Sequence, residues 1–228
     1  MLKKFILLLS IFSLLTSCSK EENTSPVINW SNSANMLNMV ANETNVNEFG
    51  GYKVTNSNTR EVKKYLKETW NITDKTDLIH TLKYLNDGYT NTQFVNNYNY
   101  IMNYQKNSNT DYTNTKSDEQ VIYYFDTFGD KALIGFDYGR SNMLIGLSYV
   151  AGLISIDEAI TYINDLIILV QEDFANWADF NNSFLRGLNF FSIQNDNYEV
   201  YDKYENAEKL IEDNPEEYPI STFNLHLN

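Results

Sequence analysis

The sequence predicts an all-α protein, mainly one globular domain of roughly seven to nine helices. Three observations carry this. Apolar residues recur at helical spacing in one segment after another. Helix-capping residues stand at the borders of those segments. No stretch alternates apolar and polar residues as a half-buried strand would, and no internal repeat occurs. The chain is long enough for one domain with a sizeable core.

The elements follow in order. Met36, Leu37 and Val40 have helical spacing, and so do Val62, Tyr65, Leu66 and Trp70. Leu78, Ile79, Leu82 and Leu85 make the next apolar stripe, with Thr73 or Asp74 as cap and Gly88 as stop. Phe94 to Tyr104 reads as a tyrosine-rich helix, and the polar, aperiodic stretch Lys106 to Lys116 as a loop. Val121, Ile122, Tyr124 and Phe125 suggest a short buried helix. A longer apolar helix is expected from about Lys131 to Ala151, ended by Gly152. Ser155 and Glu158 have the spacing of a capping box, opening a helix that carries Ala159, Ile160, Ile163, Leu166, Ile167 and Val170. Asn176 caps another, with Asp179 in its first turn, where the helix dipole favours negative charge. Phe180, Phe184, Leu188 and Phe191 would line its inner face. From Asp196 the chain turns acidic and mixed, with a short helix near Glu205 to Glu212 and breaks at Pro215 and Pro219.

The amino terminus carries a different signal. Lys3 and Lys4 precede an apolar run from Phe5 to Leu15, followed by Leu15-Thr16-Ser17-Cys18. Cys18 is the only cysteine of the chain. The run is shorter than the roughly 20 apolar residues that span a bilayer and has the layout of a secretory leader. The four residues ending in Cys18 resemble the lipobox of bacterial lipoproteins. That resemblance implies cleavage after residue 17, lipidation of Cys18 and attachment to the bacterial envelope, facing the periplasm or the cell exterior. The expected organisation is therefore a signal peptide (1–17), a lipidated cysteine and flexible tether (18–30), a helical domain (31–195) and an acidic C-terminal extension (196–228). With one cysteine no intrachain disulfide forms, so the core and hydrogen bonds must hold the fold.

The residues from Phe136-Asp137-Tyr138-Gly139-Arg140 through Ala151-Gly152-Leu153-Ile154-Ser155 to Glu158-Ala159 form a pattern. Trp177-Ala178-Asp179-Phe180 and Phe184-Leu185-Arg186-Gly187 continue it. Together they resemble the bacterial family known as domain of unknown function 1266, over about Met36 to Phe191. Upstream, Trp70-Asn71-Ile72 and Leu85-Asn86-Asp87-Gly88-Tyr89 fit its amino-terminal part, although Asn71 and Tyr89 stand where the family often has Gly and His. The resemblance implies a fold class and no reaction, because the family's molecular role is not established.

Candidate sites are few. Asp137 and Arg140 stand at i and i+3 amid apolar residues, neighbours on one helix face. They form either a structural ion pair or a pocket in which Arg140 grips an anionic ligand, and the first reading is the commoner for buried pairs. Trp70 and Trp177 are core anchors or ligand-stacking aromatics. The only histidines, His80 and His226, are too few and too far apart for a zinc site. No phosphate-binding glycine loop, nucleophile elbow or metalloprotease motif occurs. The sequence points to no metal, cofactor or catalytic residue. A net charge of −13 argues against nucleic acid and leaves room for a basic protein partner. The expected role is a non-catalytic, protein-binding module on the membrane. The alternative is a small-ligand binder or hydrolase with a pocket near Asp137, Arg140 and Trp177.

Overall fold

Most helices of this protein begin where a side chain accepts the first free backbone N–H groups. The computed structural model describes residues 25–107, 113–195 and 197–227. Along them run α1 (Pro26–Ala34), α2 (Met36–Ala41), α3 (Asn56–Trp70), α4 (Lys75–Asn86), α5 (Tyr89–Asn107), α6 (Lys116–Phe128), α7 (Ile134–Val150), α8 (Ile156–Asp173), α9 (Trp177–Gln194) and α10 (Tyr198–Asp213). A single 3₁₀ turn, Phe49–Gly51, lies between α2 and α3. Helices α1 and α2 abut at Asn35 and act as one broken helix, which gives nine helical units. No strand occurs among the described residues, so the fold is all-α.

The caps are local and chemically explicit. Ser155 accepts the Glu158 N–H while Glu158 reaches back to the Ser155 N–H, completing the expected capping box. Asn176 caps α9 through the Asp179 N–H, and Asp74, not Thr73, caps α4. A second capping box, Thr115 with Asp118, opens α6 inside the stretch expected to be loop. Asn71 ends α3 in the left-handed region at φ 54°, a conformation asparagine tolerates better than most residues.

Helix α7 is the axis of the molecule. Fourteen of its residues are buried, from Ile134 to Val150, so it is enclosed on nearly every face. Helices α3, α4, α5, α8 and α9 all pack on it. The α7–α9 crossing is close because its contact residues are small: a Cβ placed on Gly187 would lie 2.3 Å from the Cβ of Phe136. At the other end of α7, Gly146 meets Gly50 of the 3₁₀ turn backbone to backbone. Gly50 holds φ at 76°, and a side chain on either residue would run into the other. Two polar residues of α7 tie it to its neighbours. Asn142 exchanges two hydrogen bonds of 2.7 Å with Ser31 of α1, and Ser141 donates to Asn86 of α4 at 2.6 Å.

Several expectations require correction. Residues 26–30, expected to belong to the tether, are helical, because α1 begins at Pro26. Trp30 and Ile28 of α1 are core residues. The C-terminal extension expected over 196–228 is part of the domain. Helix α10 buries Tyr204, Ala207 and Ile211 against α2 and α9. Beyond it, Phe223 is buried, and its carbonyl accepts the Trp30 indole N–H at 2.8 Å. Phe191 lies on the same face of α9 as Phe184 and Leu188 and meets Phe136 of α7, but it remains 46 % exposed because that face borders an open space. Cys18 and the leader lie outside the described residues. Among those residues no helix is long and apolar enough to cross a membrane.

Candidate functional site

The site begins with a cap made at long range. Helix α5 has no acceptor of its own at the N-terminus. Asp137, on α7, supplies it: its carboxylate accepts the backbone N–H groups of Thr90 at 3.2 Å and Asn91 at 3.0 Å. A carboxylate at a helix N-terminus meets both free donors and the positive end of the dipole. Asp137 is fully buried, at 0 % exposure. The Asn91 side chain ties the same turn to the start of α7. It donates to the Asp130 carbonyl at 2.6 Å and accepts the Leu133 N–H at 3.0 Å.

Arg140 completes the arrangement from one turn along. Its Nη2 donates to Asp137 and, at 2.5 Å, to the Thr90 hydroxyl. The guanidinium lies over Phe136, 4.3 Å from the ring centroid, and 5.8 Å from that of Trp70, both within cation–π range. Burial pushes the Arg140 pKa down, and the Asp137 charge opposes that shift. Two nitrogens are left over. Among the described residues Nε is sealed from solvent without a partner, and Nη1 has no acceptor. The side chain keeps 15 % exposure, and that opening faces a cavity.

The cavity has a volume of about 780 Å³, within the size range of small-molecule sites. Helix α7 forms its floor with Phe136, Gly139, Arg140, Met143 and Leu147. Helix α3 forms one wall with Val62, Tyr65 and Trp70, and α9 another with Phe184, Leu188 and Phe191. Asparagines from the α1–α2 region, Asn35, Asn38 and Asn42, meet Tyr204 of α10 at the remaining side. There Tyr204 donates to Asn38 at 2.6 Å. Burial raises the Tyr204 pKa, so its hydroxyl stays protonated at neutral pH. The walls are mostly apolar, with a few convergent polar groups, as binding pockets commonly are.

The expected site residues therefore separate. Asp137, Arg140 and Trp70 converge, with Asp137 behind the wall as support and the other two on it. Trp177 does not join them. It packs on Trp30, Phe180 and Phe223 and donates to the Ser221 carbonyl at 2.7 Å, so it is a core anchor. The asparagine and tyrosine side of the cavity was not among the expected site residues. No spacing rule brings residues 35–42 against residue 204. Glu158, as expected, is a capping acid, and His80 is exposed on α4. Among the described residues no group of three or more His, Cys, Asp or Glu side chains is placed to hold a metal ion.

An all-α domain with a helix-walled, largely apolar cavity is a class that many unrelated sequences reach, so sequence must give the kinship. The family described as a protein of unknown function, DUF1266, matches over residues 65–221, and the chain belongs to it. The match starts within α3 and runs past α10 to the segment on which Trp177 and Trp30 close. No curated protein and no solved structure matches the chain.

Proposed function

We propose that this chain is a non-catalytic binding protein, held on the bacterial envelope by a lipidated Cys18, with the Arg140 cavity as its receptor site. One observation carries the binding reading: a guanidinium fixed by Asp137 and Thr90 lines a largely apolar cavity while its Nη1 has no acceptor among the described residues. Such a donor, held in place before a ligand arrives, lowers the cost of binding. The lining supports binding over hydrolysis. Glu61 is its single carboxylate, whereas paired-carboxylate hydrolysis uses two facing acids.

The test uses the cavity's own reporter. Of the three tryptophans, Trp70 lines the cavity, whereas Trp30 is buried in the core and Trp177, partly buried, packs against it away from the cavity. The fluorescence difference between the chain and its Trp70→Phe variant should shift when envelope extract is added. An unchanged difference spectrum rejects the ligand reading. For the anchor, Cys18→Ser should abolish metabolic labelling with palmitate and partition into detergent. Retained labelling rejects lipidation at Cys18. A basic protein partner is the second reading, supported by the net charge of −13. Specific, salt-sensitive capture of one basic envelope protein would favour it.

A further inference from the structure

The cavity's polar groups also define the head of the molecule that fits it. We propose that the ligand is an uncharged amphiphile whose polar group is a carboxamide; this rests on the reading of the cavity as a ligand site. The first argument is charge. Arg140 is already neutralised by the buried Asp137. A carboxylate approaching Nη1 would also feel Asp137, and the other charged lining residue, Glu61, is acidic. The pair therefore returns little Coulomb energy to an anion, while moving an anion from water to apolar walls costs far more than moving an amide. An ammonium group incurs the same cost on leaving water, and the guanidinium, a donor only, gives it no acceptor.

The second argument is Asn35, at the junction of α1 and α2. Its side chain is 6 % exposed and lines the cavity. Its Oδ1 is buried without a partner, and among the described residues neither polar atom of its carboxamide has a hydrogen bond. Asn91 and Asn142, buried to a similar degree, are each bonded at both ends. A buried amide without partners costs free energy unless something else satisfies it. The cavity thus presents a donor, Arg140 Nη1, and a carboxamide that can turn either its C=O or its NH₂ toward a ligand. A ligand amide carries one acceptor and at least one donor and adds no charge, so it answers both groups. Val62, Met143, Leu147 and Leu188 are there for its apolar body.

The experiment is equilibrium dialysis of octanamide, octanoate and octylammonium against the full chain in lipid vesicles, with protein-free vesicles as the blank. Octanamide should bind about tenfold more tightly than either charged probe, a difference of about 1.4 kcal/mol. Asn35→Leu removes no protein hydrogen bond. It should leave the melting temperature unchanged or higher while lowering octanamide affinity about tenfold. Octanoate binding as tightly as octanamide would overturn the headgroup inference and leave the cavity reading standing. Undiminished octanamide affinity in a folded Asn35→Leu chain would overturn it too. The ranking of the three probes needs no variant, so a poorly folding Asn35→Leu leaves the inference open to refutation. Failure of all three probes would remove the cavity reading itself.

Discussion

Removing Asp137 should cost this protein more than removing Arg140, although the two form one ion pair. In Asp137→Ala the Thr90 and Asn91 N–H groups lose their acceptor, and Arg140 Nη2 loses one of its two. Thr90 Oγ1 still accepts from Arg140, yet the guanidinium remains buried with no counter-charge. Breaking a buried pair in this way costs about 3–5 kcal/mol, and losing an N-cap adds about 1 kcal/mol. At about 2–4 °C per kcal/mol for a domain of this size, the melting temperature should fall by about 10 °C or more. In Arg140→Met the carboxylate keeps both backbone N–H groups and the positive end of the α5 dipole. That variant should lose about 1–3 kcal/mol, since its remaining charge is still hydrogen-bonded. Urea unfolding of both variants and of the double variant, analysed as a cycle, measures the asymmetry. An Asp137→Ala chain within about 1 kcal/mol of the parent, or a costlier Arg140→Met, would refute the assignment of Asp137 as the cap of α5.

Three further outcomes are expected. Glu158 is held down at about 2, chiefly by its hydrogen bond to Lys75 and then by the Ser155 N–H, against an ordinary value of 4.5. A depressed acid stabilises the fold above its unfolded value and loses that contribution as pH falls toward about 2. Melting temperature against pH should therefore flatten across that window in Glu158→Gln, and an unchanged profile would exclude Glu158 as a source of the acid limb. Gly187→Ala, which in an open helix would stabilise, should instead destabilise by about 1–3 kcal/mol, because its Cβ would meet Phe136; thermal unfolding gives the sign. Phe223→Ala should cost about 3–5 kcal/mol and free the C-terminal segment, which limited proteolysis followed by mass spectrometry would register as cleavage after Tyr218.

The parts of this protein legible in its sequence are those whose physics is local. Ser155 and Glu158 are three residues apart, and a capping box needs nothing further away. The Asn176 cap, the stops at Gly88 and Gly152 and the apolar run of α7 are legible for the same reason: backbone donors, dihedral preferences and helical period all act within one or two turns. Asp137 and Arg140 could be seen as neighbours on one helix, but not assigned. Whether the carboxylate supports a helix or a ligand depends on α5, which begins nearly fifty residues earlier in the chain. Trp70 and Trp177 looked equivalent in one dimension. Packing sends one to the cavity and the other to a carbonyl at Ser221. The C-terminal segment read as an acidic appendage because its composition is polar. The burial of Phe223 and the 193-residue separation of its contact with Trp30 belong to tertiary structure alone. Local hydrogen bonding and periodicity thus specify the helices. The site arises only where faces of α2, α3, α7, α9 and α10 meet without filling the space between them.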